Sequence, residues 1–380
     1  MKVLIHGFYG AGNAGDDAIL QSIIETLKEV DQHVEVAVSI RSATIPAYFG
    51  KEKISYVRGG DIPSITKVLK QCDLLIVGGG GLFQDYNSYL PENLFTNQKG
   101  AINYYSYPII LAKMLNIKVM LYALGIGPLR NPESKKAMKW VSEIVDTITV
   151  RDTESFDLLT SLGVTKHVLS ADPVVNLTAT PTSLPRSMTE NRSKNDIKVG
   201  LNLRNWSYAT DDLHDFQHML IKYLNDLSSH YPLSIYVFPF NKLPSETAMA
   251  EELVKALTGK VQIIPYNASP QDYKFLCGQL DLMIAMRLHA NIFAIYEGVP
   301  SLGISYDGKV RQFFQELDLH EYCHTLGNRD YASFKTIIKD CIKNPAQHKQ
   351  NLKGKLKHLQ GREHLNKATL IKTYELIENE

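Results

Sequence analysis

Residues 1–30, MKVLIHGFYGAGNAGDDAILQSIIETLKEV, decide the fold. Val3-Leu4-Ile5 is a short, unbroken apolar run, as a strand buried on both faces needs, and it ends at Gly7. Beyond a glycine-rich bend, Ile19, Leu20, Ile23, Ile24 and Leu27 recur at helical spacing between Asp16 and Val30. A buried strand, a glycine bend and an amphipathic helix in that order begin a βαβ unit. The alternation continues. Strand-like runs stand at 34–40, 74–77, 119–124, 148–150 and 168–169. The third should stop at the four glycines 78–81, and the fourth at Gly125-Ile126-Gly127-Pro128.

Residues 178–196, rich in Pro, Ser, Thr and Asn with no apolar face, read as a linker. Strand candidates then restart at 199–203, 234–238, 261–264, 282–285 and 302–304, with helical patterns at 213–227 and 247–257. The expected architecture is α/β: two doubly wound Rossmann-like domains, 1–177 and 197–330, facing across a cleft. After residue 331 lysines and arginines outnumber acids, and Leu352, Leu356 and Leu359 mark an amphipathic helix. The segment 331–380 is expected to pack across the domains, its basic face either simply solvated or turned toward anionic lipid headgroups.

Composition narrows the function. The chain has 380 residues and 41 Lys plus Arg against 40 Asp plus Glu, a net charge of +1, which argues against a nucleic-acid coat. The 44% hydrophobic content argues against disorder. Four scattered cysteines show neither a disulfide framework nor zinc spacing, so a reducing compartment is expected. With no apolar run of about 18 residues and no signal-peptide pattern at the start, the expectation is a cytoplasmic globular protein.

In doubly wound sheets ligands bind beyond the carboxyl ends of the strands, so chemistry is sought there. Residues 10–15, GAGNAG, match a dinucleotide fingerprint. Asp16-Asp17 follow where a pyrophosphate would sit, however, and two carboxylates repel an anion. The second run ends in Ser39-Ile40-Arg41, without the acid a ribose hydroxyl needs. The pair reads either as helix N-terminal charges or as a carboxylate that holds or deprotonates a hydroxyl. Gly80 and Gly81, with the rest of their run, permit close approach by a ligand or another backbone. Arg151 ends a strand beside an Asp152 placed as a helix N-cap.

The second half carries more. Arg204, Arg287, His289 and Ser305 fall at the tips of three strand candidates, with His289 at a helix start. Guanidinium forks and a helix N-terminus suit a small, multiply charged anion.

At these residues the chain resembles the polysaccharide pyruvyl transferase family, and its bacterial secondary cell-wall polymer branch in particular. The resemblance rests on GFYGAGNAGDDAIL (7–20), GGGGLFQD (78–85), ALGIGP (123–128), VRD (150–152), SADP (170–173), LNLRNW (201–206) and AMRLHANIFAIYEGVP (285–300). It implies two Rossmann-like domains arranged as in GT-B glycosyltransferases. It also implies transfer of a pyruvyl group from phosphoenolpyruvate onto two hydroxyls of one sugar, giving a cyclic ketal. The branch acts on N-acetylmannosamine in a lipid-diphosphate-linked precursor at the inner membrane face; its product anchors surface layers. Arg204, Arg287, His289 and Ser305 would hold phosphoenolpyruvate, and Asn13, Gly80, Gly81 and Arg151 the acceptor side. His289 is the leading acid or a phosphate ligand, Asp16 the leading base, and Asp17 the second. No cofactor, metal or nucleic acid is implied. The chain departs from the family after residues 234–238, where a Gln and an Asp are expected and Pro239-Phe240-Asn241-Lys242 stands, with Glu246 the nearest acid. A nucleotide-sugar glycosyltransferase and a non-catalytic sugar or anion binder are the competing readings.

Overall fold

The computed structural model describes residues 1–41, 54–86, 89–96, 100–180, 188, 196–205, 210–267 and 269–379. The chain divides into two compact units, one made of residues 1–177 with 358–380 and the other of residues 178–357. The linker expected at 178–196 lies largely outside the described residues, as does Trp206 of LNLRNW.

In the first unit the elements run β1 (Lys2–His6), α1 (Ala14–Val30), β2 (Glu35–Ile40), β3 (Ile54–Arg58), α2 (Ile62–Leu69), β4 (Leu74–Phe83), α3 (Ala101–Met114), β5 (Lys118–Ile126), α4 (Pro132–Ile144), β6 (Thr147–Val150), α5 (Thr153–Ser161) and β7 (His167–Leu169). The sheet is parallel, in the order β3-β2-β1-β4-β5-β6-β7. Alternate residues of its central strands, among them Leu75, Val77, Val119 and Leu121, point to one face and pack with Tyr105, Ile109 and Ala112 of α3. His6 ties three elements together: Ser39 Oγ lies 2.7 Å from Nδ1 and the Tyr104 carbonyl 3.0 Å from Nε2. Burial lowers the ring's pKa to about 4, so it is neutral. Nε2–H then donates to the carbonyl and Nδ1 accepts from Ser39.

The glycine run corrects the sequence expectation. β4 does not stop at residue 77 but continues through the glycines to Phe83, and β5 likewise runs to Ile126. The run serves packing by α1. A Cβ at Gly79, whose φ is +64°, would lie 1.8 Å from Ile19 Cγ2, and one at Gly78 would lie 2.8 Å from Ile23 Cδ1. Two short edge strands, β3 and the β13 given below, were absent from the periodicity.

The second unit runs β8 (Ile197–Asn202), α6 (Thr210–His230), β9 (Leu233–Val237), α7 (Pro244–Ala256), β10 (Lys260–Ile263), α8 (Pro270–Gly278), β11 (Leu282–Ala285), α9 (Leu288–Tyr296), β12 (Ser301–Ser305), α10 (Gly308–Glu316), β13 (Cys323–Thr325), α11 (Ala332–Lys343) and the start of α12 (Pro345–Glu378). Its parallel sheet has the order β10-β9-β8-β11-β12-β13. Phe334, Ile338, Cys341 and Ile342 place α11 in this unit's own core. All four cysteines are free thiols. Among the described residues no helix is long and apolar enough to cross a membrane.

The last part of α12 belongs to the first unit. Arg362 Nε donates to the Ser170 carbonyl (2.9 Å), Asn366 Nδ2 to that of Ala171 (3.0 Å), and the Thr147 and Thr373 hydroxyls meet at 2.7 Å. Glu363, buried among these contacts, accepts from Asn176 Nδ2. Burial raises its carboxyl pKa to about 7, with Glu29 and Asp172 adding to the rise and the bonds from Asn366 and Asn176 opposing it. The folded state therefore favours the acid form. Below the unfolded pKa both states are protonated and there is no penalty. As pH rises through the folded pKa the penalty grows and then levels off. Thermal stability should fall between about pH 4.5 and 7 from this group, by on the order of 2–3 kcal/mol. Glu363→Gln, melted across the same range, should lack that component and be the more stable protein above pH 7.

Candidate active site

In each unit the strand order reverses next to its first strand, between β1 and β4 and between β8 and β11. At such a point the flanking connections leave in opposite directions and open a crevice at the strand ends. In the second unit Arg204 follows β8, while Arg287 and His289 follow β11. Asn202, fully buried at the end of β8, holds the place together. Its Nδ2 donates to the Phe238 carbonyl after β9 (2.8 Å), and its Oδ1 accepts from the Arg287 backbone N–H (3.0 Å). Asn291 does the same from α9, donating to the carbonyls of Ala285 (3.1 Å) and Arg287 (2.9 Å) and accepting from Ser301 Oγ (2.7 Å). Arg287 is the N-cap of α9, and its side chain makes no capping bond, so the helix start presents backbone donors beside two guanidinium groups.

Each guanidinium has a partner on its flank. Arg204 Nη1 donates to the Tyr306 hydroxyl (3.1 Å), and its Cζ stands 5.3 Å from that ring's centroid. Arg287 Nη2 pairs with the Glu246 carboxylate near the start of α7. Burial, helped by Asp307, raises the Tyr306 pKa, while both Arg204 and Arg287 pull it down, so the phenol lies within reach of both charges. The His289 ring sits at the first turn of α9, edge-on to Phe293 at 6.5 Å between centroids. Arg204, Arg287 and His289 are thus grouped by one crevice edge, each only partly exposed.

Ser305 is engaged locally. It is buried, and its Oγ donates to the Asp307 carbonyl (2.5 Å), which closes a local turn before α10. The neighbouring Tyr306 is the site residue that sequence reasoning missed. A tyrosine after a strand tip carries no periodic signal; only the arginine arriving from β8 reveals it.

In the first unit Asp16 lies partly exposed at the β1–β4 reversal. A Cβ at Gly80 would come 3.3 Å from its Oδ1, and its charge raises the pKa of Tyr9 and Tyr105 after the larger effect of burial. Asp17, read as a second catalytic candidate, is wholly buried, its side chain turned about 100° round the helix from that of Asp16. Asn13 is the N-cap of α1, accepting from Gly15 N–H (3.0 Å). Gly80 is buried against α1, while Gly81 keeps partial exposure.

Arg151 has partners within the first unit. It is buried and bound to Asp172 (Nη1–Oδ2 2.7 Å), with Asp152 3.6 Å from Nε, so its guanidinium is occupied inside the fold. Burial is the largest influence on its charge and opposes it; Asp172, Asp152 and Asp16 outweigh that effect and raise its pKa. A Cβ at Gly125 would stand 3.1 Å from Arg151 Nε, which explains a glycine there. Asp152 caps α5 through Ser155 N–H (2.8 Å). Among the described residues no group of three or more His, Cys, Asp or Glu is arranged to hold a metal ion.

A sequence model of the family described as "Polysaccharide pyruvyl transferase" matches residues 13–308. No curated protein matches the chain by sequence. Solved structures with a similar fold include UDP-GlcNAc 2-epimerase from Neisseria meningitidis bound to UDP-GlcNAc, at a TM-score of 0.64 and 12% identity, covering 98% of this chain and 99% of that one. A putative UDP-N-acetylglucosamine 2-epimerase from Listeria monocytogenes has a TM-score of 0.63 at 8% identity, covering 93% and 90%. A glycosyltransferase from Rickettsia africae has 0.62 at 12% identity, covering 99% and 98%. At these identities the likeness establishes the fold, a two-domain α/β architecture of GT-B type.

Asn202→Ala removes two bonds at once and leaves a buried carbonyl and a buried N–H without partners. Chemical denaturation should show a loss of about 2–4 kcal/mol, with Asn202→Asp recovering only the bond to the Arg287 N–H.

Proposed function

The chain belongs to the polysaccharide pyruvyl transferase family, and from that premise we propose that it transfers the pyruvyl group of phosphoenolpyruvate onto two hydroxyls of one sugar, forming a cyclic ketal. The observation that carries this reading is the pair Arg204 and Arg287 meeting the start of α9 at one strand-order reversal. Phosphoenolpyruvate places a carboxylate and a phosphate on three carbons, and two guanidinium forks with a helix N-terminus match that density of charge.

The residues have distinct roles in this proposal. Arg204 and Arg287 hold the donor's anionic groups and stabilise charge on the departing phosphate. His289 delivers a proton to the methylene carbon, which becomes the ketal's methyl group. The adjacent carbon turns electrophilic, and a sugar hydroxyl attacks it. Phosphate leaves, and the second hydroxyl closes the ring. The two hydroxyl protons balance the one taken up by carbon and the one leaving with phosphate. Asp16 takes the proton of the attacking hydroxyl or orients it. The acceptor proposed is an amino sugar, N-acetylmannosamine, in a lipid-diphosphate-linked precursor of a cell-wall polymer. The lysines of α11 and α12 suit an anionic membrane surface.

Turnover is read as phosphate released from phosphoenolpyruvate only when acceptor is present; release of UDP from a UDP-sugar instead would overturn the donor assignment. Arg204→Gln and Arg287→Gln should each weaken phosphoenolpyruvate binding by roughly 30- to 100-fold. His289→Gln should lower kcat by about a hundredfold or more with the binding constant little changed. Lost binding with retained turnover would make the histidine an anion ligand rather than the acid.

A further inference from the structure

Glu246 is not an ordinary first-turn acid. Such residues stabilise a helix start from the solvent side, whereas Glu246 is 3% exposed and turned onto Arg287. Nor is the pair a closed bidentate fork. One Arg287 nitrogen meets one Glu246 oxygen, while Glu246 Oε2 and Arg287 Nε are both buried without hydrogen-bond partners among the described residues. A pair kept for stability alone would satisfy these atoms, since each buried orphan is costly. Glu246 is also held on a fixed element: its N–H donates to the Leu243 carbonyl (3.0 Å), and Leu243 N–H donates to Asn241 Oδ1 (2.9 Å). A rigid negative charge therefore stands behind one of two arginines that face a shared crevice edge.

We propose that Glu246 is the resident counter-ion of the donor site. It keeps Arg287 neutralised and aimed while the site is empty, and it weakens the hold on a phosphate-bearing anion enough for inorganic phosphate to leave after each turnover. The inference rests on Arg204 and Arg287 being the donor's anion site. It also gives a task to the acid that follows the unusual Pro239-Phe240-Asn241-Lys242 stretch.

The test is titration of the full chain with inorganic phosphate and with phosphoenolpyruvate, for the wild type, Glu246→Gln and Arg204→Gln. The glutamine keeps the length and the oxygen acceptor for Arg287 and removes only the charge. Glu246→Gln should bind inorganic phosphate about tenfold more tightly or better, because a like charge in a poorly screened site has been removed. Phosphate should also raise its melting temperature more than that of the wild type. Unchanged or weaker phosphate binding overturns the counter-ion role, since a merely structural part for Glu246 moves affinity only downward. Arg204→Gln should lose phosphate binding. If it loses binding while Glu246→Gln stays at the wild-type value, the donor site stands and the counter-ion does not. If Arg204→Gln binds phosphate like the wild type, the donor-site reading falls and the counter-ion role with it. Should Glu246→Gln not fold, the neutral pair Glu246→Gln/Arg287→Gln is compared with Arg287→Gln; tighter phosphate binding in the double variant supports the role, and equal binding overturns it.

Discussion

A single buried amide organises the second unit. Asn202 stands at the end of β8, where the sheet's connections part, and its two polar ends reach the backbone after β9 and the backbone opening α9. A buried amide is tolerable only when both ends are bonded, so the three strand ends cannot drift apart without leaving it orphaned. Arg204 lies two residues beyond it, and Arg287 donates its backbone N–H to it directly. The charged side chains are long, but their roots are fixed by one short, neutral residue.

The same unit shows how a site of nearly neutral surroundings concentrates charge. Arg204 leans on a phenol, and Arg287 on a carboxylate. In the first unit Arg151 is enclosed by Asp172 and Asp152. The total of +1 therefore records many local settlements rather than a uniform surface. Arg204 and Arg287 stand where the strand order of the second unit reverses, and Arg151 stands among carboxylates of the first.

Much of this was legible in the sequence. The central strands, buried on both faces, announce themselves as continuous apolar runs, and the helix faces of α1 and α6 follow their 3.6-residue spacing. Arg204, Arg287 and His289 stand out in the sequence because strand ends are where doubly wound sheets keep chemistry. What failed had physical causes. β3 and β13 are short edge strands with only partial burial, so their pattern is weak. The four glycines look like a stop because glycine usually breaks strands; here they make a groove for Ile19 and Ile23. Arg151 and Ser305 sit at strand tips as expected, and their bonds to Asp172 and to the Asp307 carbonyl are contacts no local pattern encodes. Tyr306 was passed over for the converse reason, since its partner lies 102 residues away.

The last helix makes the chain's connectivity unlike its domain order. Residues 178–357 form one compact unit, while 358–380 return to the unit begun by residue 1. The second unit is, in topological terms, an insertion into the first. During synthesis it can complete its core while the first sheet still waits for the residues that bond to Ser170, Ala171 and Asn176. These contacts buttress the segment carrying Asp172, and through it Arg151 and the surroundings of Asp16. The unit that begins earlier in the chain is thus the later to be finished, and its polar cluster matures only once residues 358–380 have been made.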